Sequence, residues 1–112
     1  MTVSEDFLRS ANRQFLYYKT LGEKAIEQLE PDQLFVSFNE DSNSIATIIK
    51  HLHGNMLSRW TDFLTTDGEK EWRNRDGEFE ASADQVKEQL LKLWSEGWDC
   101  LFNTLNSLKP ED

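Results

Sequence analysis

Hydrophobic and small residues in the N-terminal part of the chain recur at the spacing of an amphipathic α-helix. Intervals of three and four place one set of them on a single helical face: Leu8, Ala11, Phe15, Tyr18, Gly22, Ala25 and Leu29. Phe7, Tyr17 and Leu21 widen that face. Gly22 destabilises the helix by about 1 kcal/mol relative to alanine. Close packing of a neighbouring helix is one explanation for a glycine at this position, and a tolerated defect is the other. We predict a first helix over residues 4–29.

A second helical pattern follows a crossover. Residues 31–43 carry hydrophobic side chains without helical spacing and end in a polar run, which indicates a connection whose aromatic side chains cover one end of a helical bundle. Ser44 is an N-cap residue type, and apolar residues then recur at helical spacing until Asp67 and Gly68 interrupt them. The pattern predicts a second helix over 44–64, followed by an ordered loop over 68–80.

The third helical pattern has a clear start signal. Ser82 and Gln85 stand at the spacing of a capping box. A heptad-like series of apolar and small residues follows: Val86, Leu90, Leu93, Trp94, Gly97, Leu101, Leu105 and Leu108. Trp98 and Phe102 broaden this face, so the helix, predicted over 83–108, is expected to contact more than one neighbour.

Together the three patterns predict an all-α protein with a single domain over residues 1–112, an up-down bundle of three long helices. Four Trp, seven Phe and two Tyr are a heavy aromatic load for 112 residues, and such rings need burial. Each apolar face is wide enough for the core of a four-helix bundle. We therefore expect a further apolar surface, supplied by a fourth segment or by a second copy in a homodimer.

Charge and cysteine content narrow the classes of function. A formal net charge of -9 opposes binding to nucleic acid or to an anionic membrane surface, because both depend on Lys and Arg. The longest apolar runs are too short for a membrane-spanning helix. The single cysteine cannot form an internal disulfide and no leader-like segment opens the chain, so a cytoplasmic protein is expected.

Candidate chemical residues are few. His51 and His53 are two positions apart on a predicted helix, which points them about 200° away from each other, so they cannot share one metal ion within one helix. The local pattern favours surface or boundary positions over ligand roles for both. Cys100 lies at the edge of an apolar face, where an inert buried thiol is favoured over a nucleophile. Arg73 and Arg75 belong either to a solvated loop or to a lip that holds an anion.

Residues 44–64, 67–70 and 72–76 resemble the DinB/YfiT-like superfamily, within it a bacterial subfamily without assigned function. The most specific stretch runs from Lys50 to Trp60 and reads Lys-His-Leu-x-Gly-Asn-Met-x-x-Arg-Trp. The flanking helices agree in length and spacing, so the resemblance covers nearly the whole chain.

The resemblance implies a four-helix bundle that holds a divalent metal, zinc or nickel, on one histidine of the second helix and a His-x-x-x-His pair of the fourth. Some members of the superfamily are S-transferases that use a small-molecule thiol. Only His51 matches a ligand position, whereas His53 stands where the subfamily usually has a small residue. The chain contains no fourth-helix pair, so it is expected to be either a fragment or a shortened member with an incomplete metal site.

Three hypotheses of function follow. The first is a metal-dependent thiol S-transferase, as the resemblance implies. The second is a non-enzymatic helical module that associates with itself or with another helix. The third is a metal site that His51 and His53 of two chains build across a dimer.

Overall fold

Three α-helices and one 3-10 helix make up the described part of the chain. The computed structural model describes residues 2–37, 43–73 and 87–112. Helix α1 spans Val3–Glu27, the 3-10 helix spans Pro31–Phe35, α2 spans Ile45–Trp60 and α3 spans Lys87–Ser107. These ranges contain no strand, so the predicted all-α helical bundle is confirmed. Residues 82–86, with the predicted capping box and the start of the third helix, lie outside the described ranges.

Side-chain caps explain where α1 and α2 begin. Thr2 accepts a hydrogen bond from the backbone N–H of Glu5 at 3.1 Å, and the Glu5 carboxylate accepts one from the backbone N–H of Thr2 at 3.0 Å. This capping box satisfies two amide groups that the first turn leaves without helical partners. The Ser44 hydroxyl accepts from the N–H of Thr47 at 3.2 Å, so the predicted N-cap of the second helix is confirmed.

The core lies mainly between α2 and α3. The pattern of α3 is confirmed, because its buried residues are those that the spacing places on one face: Leu90, Trp94, Gly97, Trp98, Leu101 and Leu105. Ala46, Ile49 and Met56 of α2 pack against them. A Cβ atom at Gly97 would lie 2.9 Å from Cε of Met56 and 3.3 Å from Cα of His53, so glycine permits this close approach of the two helices.

Helix α1 docks on α3 through its C-terminal half. Gly22 lies directly against the Trp94 indole, since a Cβ atom there would be 2.5 Å from the ring. The Trp94 Nε1–H donates to the Glu23 carboxylate at 3.3 Å. Lys87 donates to the carbonyl of Leu29 at 2.7 Å, and a cation at this place also suits the negative end of the α1 dipole. Of the two explanations for Gly22, the structure shows close packing, here against a side chain of the neighbouring helix.

The crossover contains a 3-10 helix, which the spacing of its apolar residues does not predict. Pro31 occupies its first turn, where the missing N–H costs nothing and the fixed φ suits the helix. Leu34 is fully buried and Phe35 packs partly against the core, in agreement with the expectation that this segment covers one end of the bundle. Val36 is exposed, and Phe38 lies outside the described residues.

The second helix ends four residues earlier than predicted. The carbonyl of Trp60 accepts a hydrogen bond from the Thr104 hydroxyl of α3 at 2.6 Å, whereas a continuing helix would pair it with the N–H of Leu64. Thr61 is extended and Asp62 adopts a left-handed conformation with φ 50°, which ends the helix. A tertiary contact to α3 therefore overrides the helical pattern beyond Trp60.

Candidate functional site

Two of the candidate chemical residues, His53 and Cys100, lie at the seam between α2 and α3. His53 is mostly buried, and its Nε2 lies 3.3 Å from Oε2 of Glu96. This contact orients the imidazole across the seam and ties the middle of α2 to α3. His53 thus has the boundary position that the local sequence pattern favours.

His51 is half-buried on α2. Among the described residues, no three His, Cys, Asp or Glu side chains come close enough together to hold a metal ion. A catalytic zinc needs about three protein ligands with one open position. The described residues of one chain therefore do not fit the metal that the resemblance implies, and the ligand role of His51 stays a prediction.

Cys100 faces the C-terminal turn of α2. Its thiol is half-buried, lies 3.6 Å from the Thr61 hydroxyl and donates to the carbonyl of Met56 at 3.8 Å. Weak hydrogen bonds of this kind are typical of a structural thiol. These contacts place Cys100 in the packing between the helices, beside the Thr104 contact that ends α2.

The turn after α2 is folded back onto the helix by Ser58. The Ser58 hydroxyl is buried, donates to the carbonyl of Gly68 and accepts from the N–H of Lys70 at 3.2 Å. The Lys70 ammonium group donates to the carbonyl of Ser58 at 2.7 Å. Arg73 is half-buried at the end of this turn, whereas Arg75, the other half of the predicted anion-binding lip, lies outside the described residues.

Large apolar side chains are exposed on the outer face of α1. Phe7 is 71% exposed and Leu21 is 47% exposed, although the sequence places both on the apolar face. The predicted face is thus divided: Leu8, Phe15 and Gly22 turn toward α3, and the other part turns toward solvent.

Uncharged residues continue this exposed part from the first turn of α1 to Leu21. We define the outer stripe as six exposed residues of α1 at alternating intervals of four and three: Val3, Phe7, Ser10, Gln14, Tyr17 and Leu21. It is about 27 Å long at a rise of 1.5 Å per residue. Every charged residue of α1 lies off the outer stripe. Val3, Ser10 and Gln14 are uncharged and stand at the spacing of one helical face, so the sequence contains a signal for the outer stripe. The pattern of apolar residues alone does not show this signal.

An apolar groove adjoins the outer stripe. It has a volume of about 610 Å³ and separates the N-terminal half of α1 from the C-terminal end of α3, with Phe7, Leu8, Leu105 and Leu108 among its lining residues. Phe15 closes its inner end through edge-to-face contacts with Trp60 and Trp98, at centroid distances of 6.2 and 6.3 Å. The N-terminal half of α1 therefore presents apolar surface on two sides.

Comparisons with known proteins yield a family and no described activity. A family model described as "Protein of unknown function (DUF1572)" matches residues 2–112. No curated protein and no solved structure matches the chain. The superfamily resemblance of the second helix and its loop stays a prediction. None of the helices within the described ranges is long and apolar enough to cross a membrane.

Proposed function

The chain belongs to the DUF1572 family of proteins of unknown function, and we propose that it acts as a helical self-association module that pairs with a second copy through the outer stripe of α1. The single observation that carries the proposal is the exposure of large apolar side chains in an uncharged row on a helix whose C-terminal half is already docked on α3. Large apolar side chains that are exposed together on one surface mark an interaction site in soluble proteins.

Burial of the outer stripe supplies the driving force. Removing apolar surface from water contributes roughly 25 cal/mol per Å², and aromatic side chains such as Phe7 and Tyr17 bring the largest areas. Tyr17 contacts Tyr18 edge to face at 5.5 Å, so a second exposed aromatic ring lies beside the outer stripe.

The charge pattern of the outer stripe is compatible with a second copy as the partner. A chain with net charge -9 repels its own copies at long range, so contact requires a surface that adds no further like-charge pairs. The outer stripe has this property because its residues are all uncharged. Self-association is therefore expected to become stronger as salt screens the remaining charge.

Leu21→Glu is expected to weaken the dimer at least about 100-fold, because it buries an unpaired carboxylate in the interface and removes an apolar contact. The measurement is sedimentation velocity over a protein concentration series. Leu16→Glu is the matched control, since Leu16 is 54% exposed on the same helix but points about 140° away from Leu21. Equal weakening by both variants, or no weakening by Leu21→Glu, would contradict the proposal.

The metal-dependent thiol S-transferase stays a separate prediction that rests on the resemblance of the second helix. Self-association doubles the number of histidines, so the dimer is the form in which His51 is best tested. If this prediction holds, the protein binds zinc and the His51→Ala variant binds zinc more weakly. The His53→Ala variant is the matched comparison. Isothermal titration with zinc measures this, and an unchanged affinity in His51→Ala would remove the ligand role.

A further inference from the structure

We propose that two copies of α1 pair antiparallel about a twofold axis near position 12, an inference that rests on the proposed self-association and specifies its geometry. In this arrangement Val3 lies opposite Leu21 of the second copy, Phe7 opposite Tyr17, and Ser10 opposite Gln14. A twofold axis makes each of these contacts occur twice, so one helical surface serves both copies.

The order of residue types along the outer stripe is nearly symmetric about its centre. An aliphatic residue stands at each end, an aromatic residue comes next from either side, and the two central positions are small or polar. Antiparallel pairing therefore matches aliphatic with aliphatic, aromatic with aromatic and polar with polar. Intervals of four and three keep such a row facing its partner over the about 27 Å of the stripe.

Charges at the helix ends also favour the antiparallel direction. The first turn of α1 contains Glu5 and Asp6, and its last turn contains Lys24. Antiparallel pairing brings the acidic first turn of one helix toward the last turn of the other, where Lys24 and Glu27 offset each other, and it sets the two helix dipoles in opposite directions. Parallel pairing would bring the two acidic turns together in a chain that already has a net charge of -9.

The polar centre of the outer stripe fixes the register. Ser10 and Gln14 can exchange hydrogen bonds with their counterparts when they lie opposite each other. A shift by one heptad would place Ser10 opposite Phe7 and Gln14 opposite Val3, or Ser10 opposite Leu21 and Gln14 opposite Tyr17. Either shift would break the Ser10–Gln14 pairing. Buried polar residues in helix pairs are known to select register in this way, at some cost in stability.

Disulfide trapping distinguishes the two directions. The proteins are prepared in a Cys100→Ser background, because Cys100 is the single native thiol. Val3→Cys and Leu21→Cys chains with different affinity tags are mixed and oxidised. A disulfide needs Cα atoms within roughly 4.4–6.8 Å, whereas antiparallel pairing separates the two copies of position 3 by about 27 Å along the axis.

The expected result is a mixed Val3→Cys and Leu21→Cys disulfide, with little product from Val3→Cys alone. A Phe7→Cys and Tyr17→Cys mixture should behave in the same way, and a Val3→Cys and Leu16→Cys mixture serves as the off-stripe control. Efficient trapping of Val3→Cys with itself would overturn the antiparallel geometry. A dimer in sedimentation without the mixed disulfides would overturn this geometry but leave the proposed function, and a monomer would overturn both.

Discussion

Trp94→Ala is expected to lower the free energy of unfolding by about 3–5 kcal/mol, the range for removing a large buried aromatic side chain. Trp94 is only 6% exposed and joins α3 to α1. Its ring lies against Gly22, its Nε1–H donates to Glu23, and it contacts the Trp98 ring at a centroid distance of 5.7 Å. Loss of the indole therefore removes both a core contact and the docking surface of α1.

Trp72→Ala is the matched control, because the same side chain is removed from a position that is 58% exposed. Urea unfolding at one fixed protein concentration measures both variants, since association makes the apparent stability depend on concentration. The control is expected to change the free energy of unfolding by less than about 1 kcal/mol. Similar losses in the two variants would contradict the placement of Trp94 between α1 and α3.

Leu34→Ala is expected to cost about 2–5 kcal/mol, since Leu34 is fully buried and its truncation leaves a cavity. The effect tests whether the 3-10 helix is part of the core, as its contacts with the buried residues of the helices indicate. The same urea unfolding measurement applies.

Val36→Ala is the companion variant, two residues further along and 57% exposed. It is expected to leave the free energy of unfolding within about 0.5 kcal/mol of the original protein. If Leu34→Ala were equally neutral, the crossover would be a surface connection and the end of the bundle would be closed by other residues.

Much of the fold could be predicted from local patterns. Helical spacing placed α1 and the buried face of α3, and the Ser44 cap placed the start of α2. The end of α2 could not be predicted in this way, because it depends on Thr104. This residue lies far along the chain and donates a hydrogen bond to the carbonyl of Trp60. The 3-10 helix also escaped prediction, because a segment of five residues is too short to show a period.

The candidate site was less predictable than the fold. The apolar face of α1 is visible in the sequence, but periodicity cannot tell which part docks and which part stays exposed. The division depends on the close contact of Gly22 with the Trp94 ring and on the hydrogen bond from Trp94 to Glu23. Both are tertiary contacts between α1 and α3. The ligand role of His51 came from resemblance alone, and the described residues of one chain do not complete its site.

Sedimentation equilibrium of the unmodified chain tests the central claim most directly. The outer stripe of α1 is proposed to be covered by a second copy, so the mass average should rise from one chain to two as the concentration increases, with the dimer dominant on the order of tens of micromolar. A mass of one chain at every concentration would contradict the account, because it would leave Phe7, Tyr17 and Leu21 exposed in the functional protein.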